Sequence, residues 1–580
     1  MSAETPTETT TLLGQQECAN INISSSDEAV QAKIVNPSKD AQSIPNRIKI
    51  IVLCILFTEF AESIAFYSIA ANLILFANTH LGFTNTQAAT LSFVYVGTGY
   101  ALPILSGYLA DSHLGQYNTM YLGGLIYIAG ILTVFLVTVP YQLPFSTSAK
   151  TSYFIVGLIL VAIGTGGIKS NISPFGASQL ESCGPVYVQR FFAWFYFSLN
   201  LGSLISFTVV AYIQQNVSFF YGFMIPSIAM ILAVAVFASA RKYYELYTPK
   251  GSLLGEALSI TYQSFKVRLS KRTNIIDKSN IQSFFDYAKK ENGGKFDAHQ
   301  VNRIKPLGRV IPVFLLIVLF RTVYFQMSTT WFIQGESMNL QLGNIKLPVA
   351  LLSTFDIISV MIFIPVVNYG VYSAYQKIFG KRISRFRRMG TGMVFAALAM
   401  LVAGIVESNR LKNVYENPLP QTVSGKTFNA SANITVLAQV PQFALIGLGE
   451  TFTSVTAFEF AYAEAPEELK GIITGMYLLA VGCGSYSGSL VIAIINAITH
   501  NPSVPNSKWV PKNINDGHLD YYFYFLAAFM MLNFTLFVTM TTFWYKDDNS
   551  YMTHKLTTEE IVPDLDAQNI LLIPEENVNT

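Results

Sequence analysis

About twelve apolar runs, each long enough to cross a bilayer as roughly 20 residues of helix, recur along this chain of 580 residues. They begin near residues 48, 88, 119, 151, 192, 219, 308, 346, 387, 438, 469 and 519. Composition agrees: 51% of residues are hydrophobic, only 12% are charged, and the mean hydropathy is +0.40, whereas a soluble domain carries about 25% charge. The expected fold is all-α and integral to the membrane.

Charge location sets the orientation. Basic residues collect after the sixth run (Arg241, Lys242, Lys266, Arg268, Lys271, Arg272, Lys289, Lys290) and after the eighth (Lys377, Lys381, Arg382, Arg385, Arg387, Arg388). The positive-inside rule assigns both connections to the cytosol, and both termini with them. The connection after the ninth run carries two sequons, Asn429-Ala-Ser and Asn433-Ile-Thr, so it is expected to face a lumen or the exterior. The parity agrees. Among the further sequons, those at Asn533 inside the last run and Asn22 in the tail are read as chance.

The long connection divides the runs six and six. The expected organisation is a disordered cytosolic tail (1–45), a six-helix bundle (46–242), a cytosolic linker with amphipathic helices (243–306), a second six-helix bundle (307–546) and a disordered cytosolic tail (547–580). The linker pieces "ALSITYQSFKVRLSK" and "IQSFFDYAKK" are expected to lie on the membrane surface. Two such halves point to the major facilitator superfamily fold, with a substrate site near the midplane between them.

Other classes are excluded. A net charge of +2 with dispersed basic residues gives no nucleic-acid footprint. Cys18, Cys54, Cys183 and Cys483 form neither a disulfide framework nor a metal spacing. No HExxH or GxSxG constellation points to an enzyme, and no metal or cofactor is expected beyond a coupling proton. The polar, acidic N-terminus does not read as a cleaved signal peptide.

Charged residues within apolar runs carry the functional reading, because each costs about 2.5–3.5 kcal/mol at a helix centre. In "TEFAESIAFYS" (Thr58 to Ser68), Glu59, Glu62, Ser63 and Phe66 share one helix face, with Tyr67 at its edge. Two acids so close are candidate proton carriers; the bland alternative is a neutral pair tying helices together. Lys169 closes "GTGGIKSN", whose Gly164, Gly166 and Gly167 would let a neighbouring helix approach. Glu450 and Glu459 lie nine residues apart in the tenth run, on opposite faces, and Glu450 ranks first for coupling. Glu459 reads equally well as helix packing. Asp356 and Arg321 also lie within the membrane and need partners. Tyr100 and Asn200 are neutral site candidates whose bland reading is helix–helix contact.

At this point the residues resemble a family. "GYLADSHLGQYNT" is similar to the motif between the second and third spans of major facilitators, and "GTGGIKSNISPFGASQ" with "RFFAWFYFSLNLGSLIS" resembles paired signatures of the proton-coupled oligopeptide transporters. "TEFAESIAFYS" stands where that family has ExxER and an aromatic pair, and "FEFAYAEAP" matches its tenth-span ending. "AYIQQNVSFFYGFMIPS", "RTVYFQMSTTWFIQ" and "GIVESNRL" resemble its peptide/histidine transporter branch within solute carrier family 15.

The resemblance implies symport of protons with di- or tripeptides, and with free histidine in that branch. It implies Glu59, Glu62 and Glu450 as proton-coupling acids and Lys169, Tyr67, Tyr100, Asn200 and Glu450 as substrate-binding residues, with Lys169 working with a tenth-span acid, here Glu450. Glu459, Asp356 and Ser63 are secondary candidates. Ser63 replaces the motif's arginine, and Ala70 and Phe325 replace a further arginine and glutamate of peptide-transporting relatives. Arg321 stands where close relatives have an aromatic residue, and is expected to compensate by placing its guanidinium near Glu59 or Glu62. In the tail, "ETTTLL" with Glu8, Leu12 and Leu13 resembles an adaptor-read sorting signal, which implies a clathrin adaptor as partner and a lysosomal or endosomal membrane, with the plasma membrane as the alternative. The competing functional reading is a signalling scaffold that recruits an adaptor and transports weakly.

Overall fold

The computed structural model describes residues 46–139, 146–183, 185–246, 249, 253–269, 281, 283–380, 383–423, 426–464, 470–500, 507–511 and 513–544. The tail residues Glu8, Leu12 and Leu13 lie outside them. Twelve long helices, labelled α1 to α12, correspond to the expected runs. They are Asn46–His80, Asn85–Leu109, Gln116–Val137, Thr147–Lys169, Pro185–Ile205 and Phe219–Ser239, then Ala298–Tyr324, Ser353–Pro365, Arg385–Glu416, Val440–Glu464, Lys470–Thr499 and Leu519–Trp544. Eleven of them, in part with short helical extensions, are long and apolar enough to cross a membrane; the remaining one is α10, which carries Glu450 and Glu459.

Small residues set how closely the helices pack. A methyl group on Gly167 of α4 would stand 2.8 Å from the Gly123 backbone of α3, and one on Gly166 would stand 2.8 Å from Leu102 of α2. Van der Waals packing rather than a hydrophobic drive holds helices together in lipid, so these close approaches matter. On α1, Asn72 leaves the helical conformation (φ −124°, ψ 21°). The carbonyl of Ser68, four residues earlier, accepts from Gln214 Nε2 at 2.9 Å, and Asn72 Nδ2 donates to Gln214 Oε1 at 3.0 Å. The freed backbone groups of a kink must find partners inside a membrane, and here a glutamine supplies one.

The halves meet chiefly through α2 and α11, where Gly97 and Gly482 face each other and Ser485 Oγ donates to the Phe93 carbonyl at 2.7 Å. Further cross-half bonds join Gln215 to the backbone of Leu347 and Val349, and Thr86 to the Val510 carbonyl. All of these lie towards the face that carries the sequons. There, strands β1 (Met338–Asn339), β4 (Pro418–Val423) and β5 (Lys426–Thr435) form a small sheet in the order β1-β5-β4, beside the hairpin of β2 (Gln341–Leu342) and β3 (Ile345–Lys346). Asn429 and Asn433 are both exposed on β5.

This face is stapled from below by "GIVESNRL". The fully buried Arg410 grips Glu407 with two nitrogens at 2.7 and 2.9 Å and donates to Asn515 Oδ1 at 2.6 Å, and Asn515 in turn donates to the Asn429 carbonyl at 2.9 Å. A bidentate geometry with every neighbour hydrogen-bonded is what makes a buried ion pair tolerable.

The linker behaves less uniformly than its pattern implies. Its helix Leu253–Leu269 exposes Leu258, Tyr262, Phe265 and Leu269 along one side. The second amphipathic piece instead forms the short helix Phe284–Ala288, whose Phe285 and Ala288 are buried between the linker helix and α7. Burial pushes the Asp286 carboxyl up, but Lys289, Lys305 of α7 and the Ser283 N–H hold it below the usual carboxylate range.

Candidate functional site

The acids of α1 face protein, not lipid: Glu59 is 2% exposed and Glu62 0%. Lys169, at the last turn of α4, donates from Nζ to Glu62 Oε2 at 2.7 Å. The same ammonium stands 4.9 Å from the Phe66 ring centre and 5.7 Å from that of Tyr67, where ring faces attract a cation. The Tyr67 and Tyr100 hydroxyls meet at 3.0 Å, and Phe66 stacks on Tyr95 at 5.1 Å. Glu59 lies one turn from Glu62 within the field of Lys169, and among the described residues it has no ion-pair partner.

Ser63, at the place of the motif's arginine, is fully buried against α5: a methyl group on Gly202 would lie 2.7 Å from its Cβ. Its hydroxyl has no hydrogen-bond partner among the described residues. The position therefore serves a close helix crossing in this chain.

The second half holds its own cluster. Arg321 of α7 donates from Nη1 to Glu450 Oε1 at 2.9 Å and from Nη2 to the Tyr477 hydroxyl at 3.0 Å. Its guanidinium also lies 4.7 Å from the Tyr324 ring centre. Gly484 of α11 makes the room, since a methyl group there would fall 2.3 Å from Arg321 Cβ. Asp356 of α8 is 3% exposed and accepts from the Tyr324 hydroxyl at 3.1 Å. Glu450 keeps 19% of its side chain exposed although it lies in mid-helix, between the halves.

Each charge is paired inside its own bundle, Lys169 with Glu62 and Glu450 with Arg321, and this corrects one expectation. Arg321 stands beside neither Glu59 nor Glu62. A buried guanidinium left unpaired is costly, and α7 packs against α10 and α11 of the same half, so Glu450 and Tyr477 are the partners within reach. Asn200 donates to the Tyr196 carbonyl of its own helix at 2.8 Å, and Tyr196 in turn lies within electrostatic range of Glu450 and Asp356. The Glu459 side chain lies outside the described residues.

Tyr324, Tyr477 and Tyr196 were not among the expected site residues. Tyr324 was recoverable, since it follows Arg321 by three residues and so shares its face. Tyr477 had no sequence signal, because its role depends on α11 crossing α7.

The comparisons with known proteins agree with this layout. A family model described as the POT family matches residues 117–510. The chain is 32% identical to Protein NRT1/PTR FAMILY 8.1 of Arabidopsis thaliana over 83% of its length and 91% of that protein's. It is 29% identical to Solute carrier family 15 member 3 of Mus musculus, over 83% and 89%. The crystal structure of the POT family transporter PepTSo superposes with a TM-score of 0.68 at 22% identity, covering 86% of this chain and 98% of that one. An auto-inhibited POT family peptide transporter gives 0.66 at 23% identity, covering 86% and 97%. The fold is therefore that of a major facilitator transporter, with twelve membrane helices in two bundles. The chain belongs to the POT family, the proton dependent oligopeptide transporters.

The Lys169–Glu62 pair gives a direct prediction. Lys169→Ala or Glu62→Ala alone leaves an orphan charge and lowers the unfolding temperature of the purified protein, on the scale of about 3–5 kcal/mol for a broken buried pair. The double variant recovers much of that loss in a thermal-shift cycle; additive losses would show that the two groups are not coupled.

Proposed function

We propose that this protein is a proton-coupled symporter that carries di- or tripeptides, or free histidine, from an acidic lumen to the cytosol by alternating access. The observation that carries the reading is the pair of opposed charge clusters, Lys169–Glu62 with Glu59 in one half and Arg321–Glu450 in the other. A zwitterionic substrate needs a cation for its carboxylate and an acid for its amine. Lys169 and Glu450 offer these from opposite bundles, and each is paired within its own half. Protonation of Glu62 would release Lys169 to the carboxylate, and the amine would replace Arg321 at Glu450. Glu59, one turn away, is the neighbouring proton store. Tyr67, Tyr100 and Asn200 are proposed as substrate contacts, while Ser63 is read as packing.

The energetics suffice. Each pH unit contributes about 1.4 kcal/mol per proton, and a membrane potential adds about 2.3 kcal/mol per charge per 100 mV. One or two protons therefore concentrate substrate. The test is uptake of labelled histidine and of a dipeptide into proteoliposomes with and without an inward proton gradient. Gradient-dependent accumulation is expected, and it is lost in Glu59→Gln; accumulation that ignores the gradient, or survives that substitution, would contradict the coupling role.

The peptide/histidine branch and the endolysosomal location rest on the sequence signatures quoted above and on the likeness to the mouse solute carrier. Plant relatives match at similar identity, 32% against 29%, so overall similarity does not separate the branches. The tail motif Glu8, Leu12 and Leu13 is proposed as the sorting address, with both termini cytosolic and Asn429 and Asn433 glycosylated on the lumenal side. Replacing Leu12 and Leu13 by Ala is expected to move the protein to the cell surface in imaging; an unchanged distribution would remove the motif's role.

A further inference from the structure

The two halves carry the same charge balance. Glu59, Glu62 and Lys169 sum to −1 in the first, and Asp356, Glu450 and Arg321 sum to −1 in the second when all are ionised. In each, one acid takes the cation and the other is left over. Asp356 is the leftover acid of the second half. Its Oδ2 accepts from Tyr324, its Oδ1 is buried with no hydrogen-bond partner among the described residues, and no cation there stands at ion-pair distance.

The groups facing it come from three helices. Arg321 and Tyr324 belong to α7, Glu450 to α10 and Tyr196 to α5 of the other half. Arg321 is the one cation among them, and its two terminal nitrogens are bonded to Glu450 and Tyr477. The Tyr324 hydroxyl donates to Asp356 and lies within electrostatic range of Glu450. Gly447 keeps α8 and α10 close at this point, since a methyl group there would stand 3.0 Å from Asp356 Oδ1. An uncompensated buried carboxylate takes up a proton rather than remain charged.

We propose that Asp356, held by Tyr324 beside Glu450, is the proton-binding acid of the C-terminal half, the counterpart of Glu59 in the N-terminal half. The proton arrives on a carboxylate oxygen and leaves from it, with no other bond changed. The coupling role rests on the symport reading above; the binding of a proton at Asp356 does not.

Infrared difference spectra of the purified full-length protein between an acidic and a neutral buffer test it. The wild type is expected to show the carbonyl stretch of a buried protonated carboxyl, absent in Asp356→Asn. Tyr324→Phe keeps the acid but removes its donor, so the same band should remain at a shifted frequency; this variant serves if Asp356→Asn fails to fold. A wild-type band that persists unchanged in Asp356→Asn, or one that Tyr324→Phe leaves unmoved, overturns the assignment. Gradient-driven uptake by the wild type is scored separately: its absence would sink symport while leaving the infrared result to decide Asp356.

Discussion

Burying charge in a membrane protein is possible only when each ion finds its partner, and this constraint organises the whole molecule. The 2.7 Å contact between Lys169 and Glu62 is the centre of the first bundle. It joins α1 to α4, whose glycines before Lys169 pack on α2 and α3. The Arg321–Glu450 contact does the same for the second bundle, and there Gly484 opens the space. In both, the cation also rests on aromatic rings, which stabilise it without adding a competing negative charge.

The two pairs each close within one half. What joins the bundles are glycine-mediated crossings and neutral hydrogen bonds near the sequon face, such as Ser485 to Phe93 and Gln215 to Val349. Contacts of that kind are worth about 0.5–1.5 kcal/mol each. The Glu407–Arg410 staple, by contrast, lies inside one bundle and fixes the cap of β4 and β5. Strong ionic links within halves and weak links between them suit alternating access.

Much of this was legible in the sequence. Span number, the division into halves and the burial of Glu59, Glu62, Lys169 and Asp356 follow from hydropathy and from the cost of intramembrane charge. The glycines before Lys169 were read as a close approach, and α3 and α2 are found against them. Pairing was not legible, because it depends on which helices are neighbours. The resemblance linked Lys169 with Glu450 and the missing arginine at Ser63 suggested Glu59 or Glu62 for Arg321, yet both cations are paired within their own bundle. The same limit hid Tyr477. Ser63 looked like a lost function and is also a packing position against Gly202, which only the crossing of α1 and α5 reveals. In the linker, periodicity found both amphipathic pieces but could not tell that one is covered by α7.

The central claim is that substrate must displace charges already paired inside each half. A structure of the protein with a bound dipeptide or histidine tests it most directly. The account predicts Lys169 on the substrate carboxylate, released from Glu62, and the amine at Glu450 in place of Arg321. A bound substrate with the Lys169–Glu62 contact still at 2.7 Å and Arg321 still on Glu450 would contradict it.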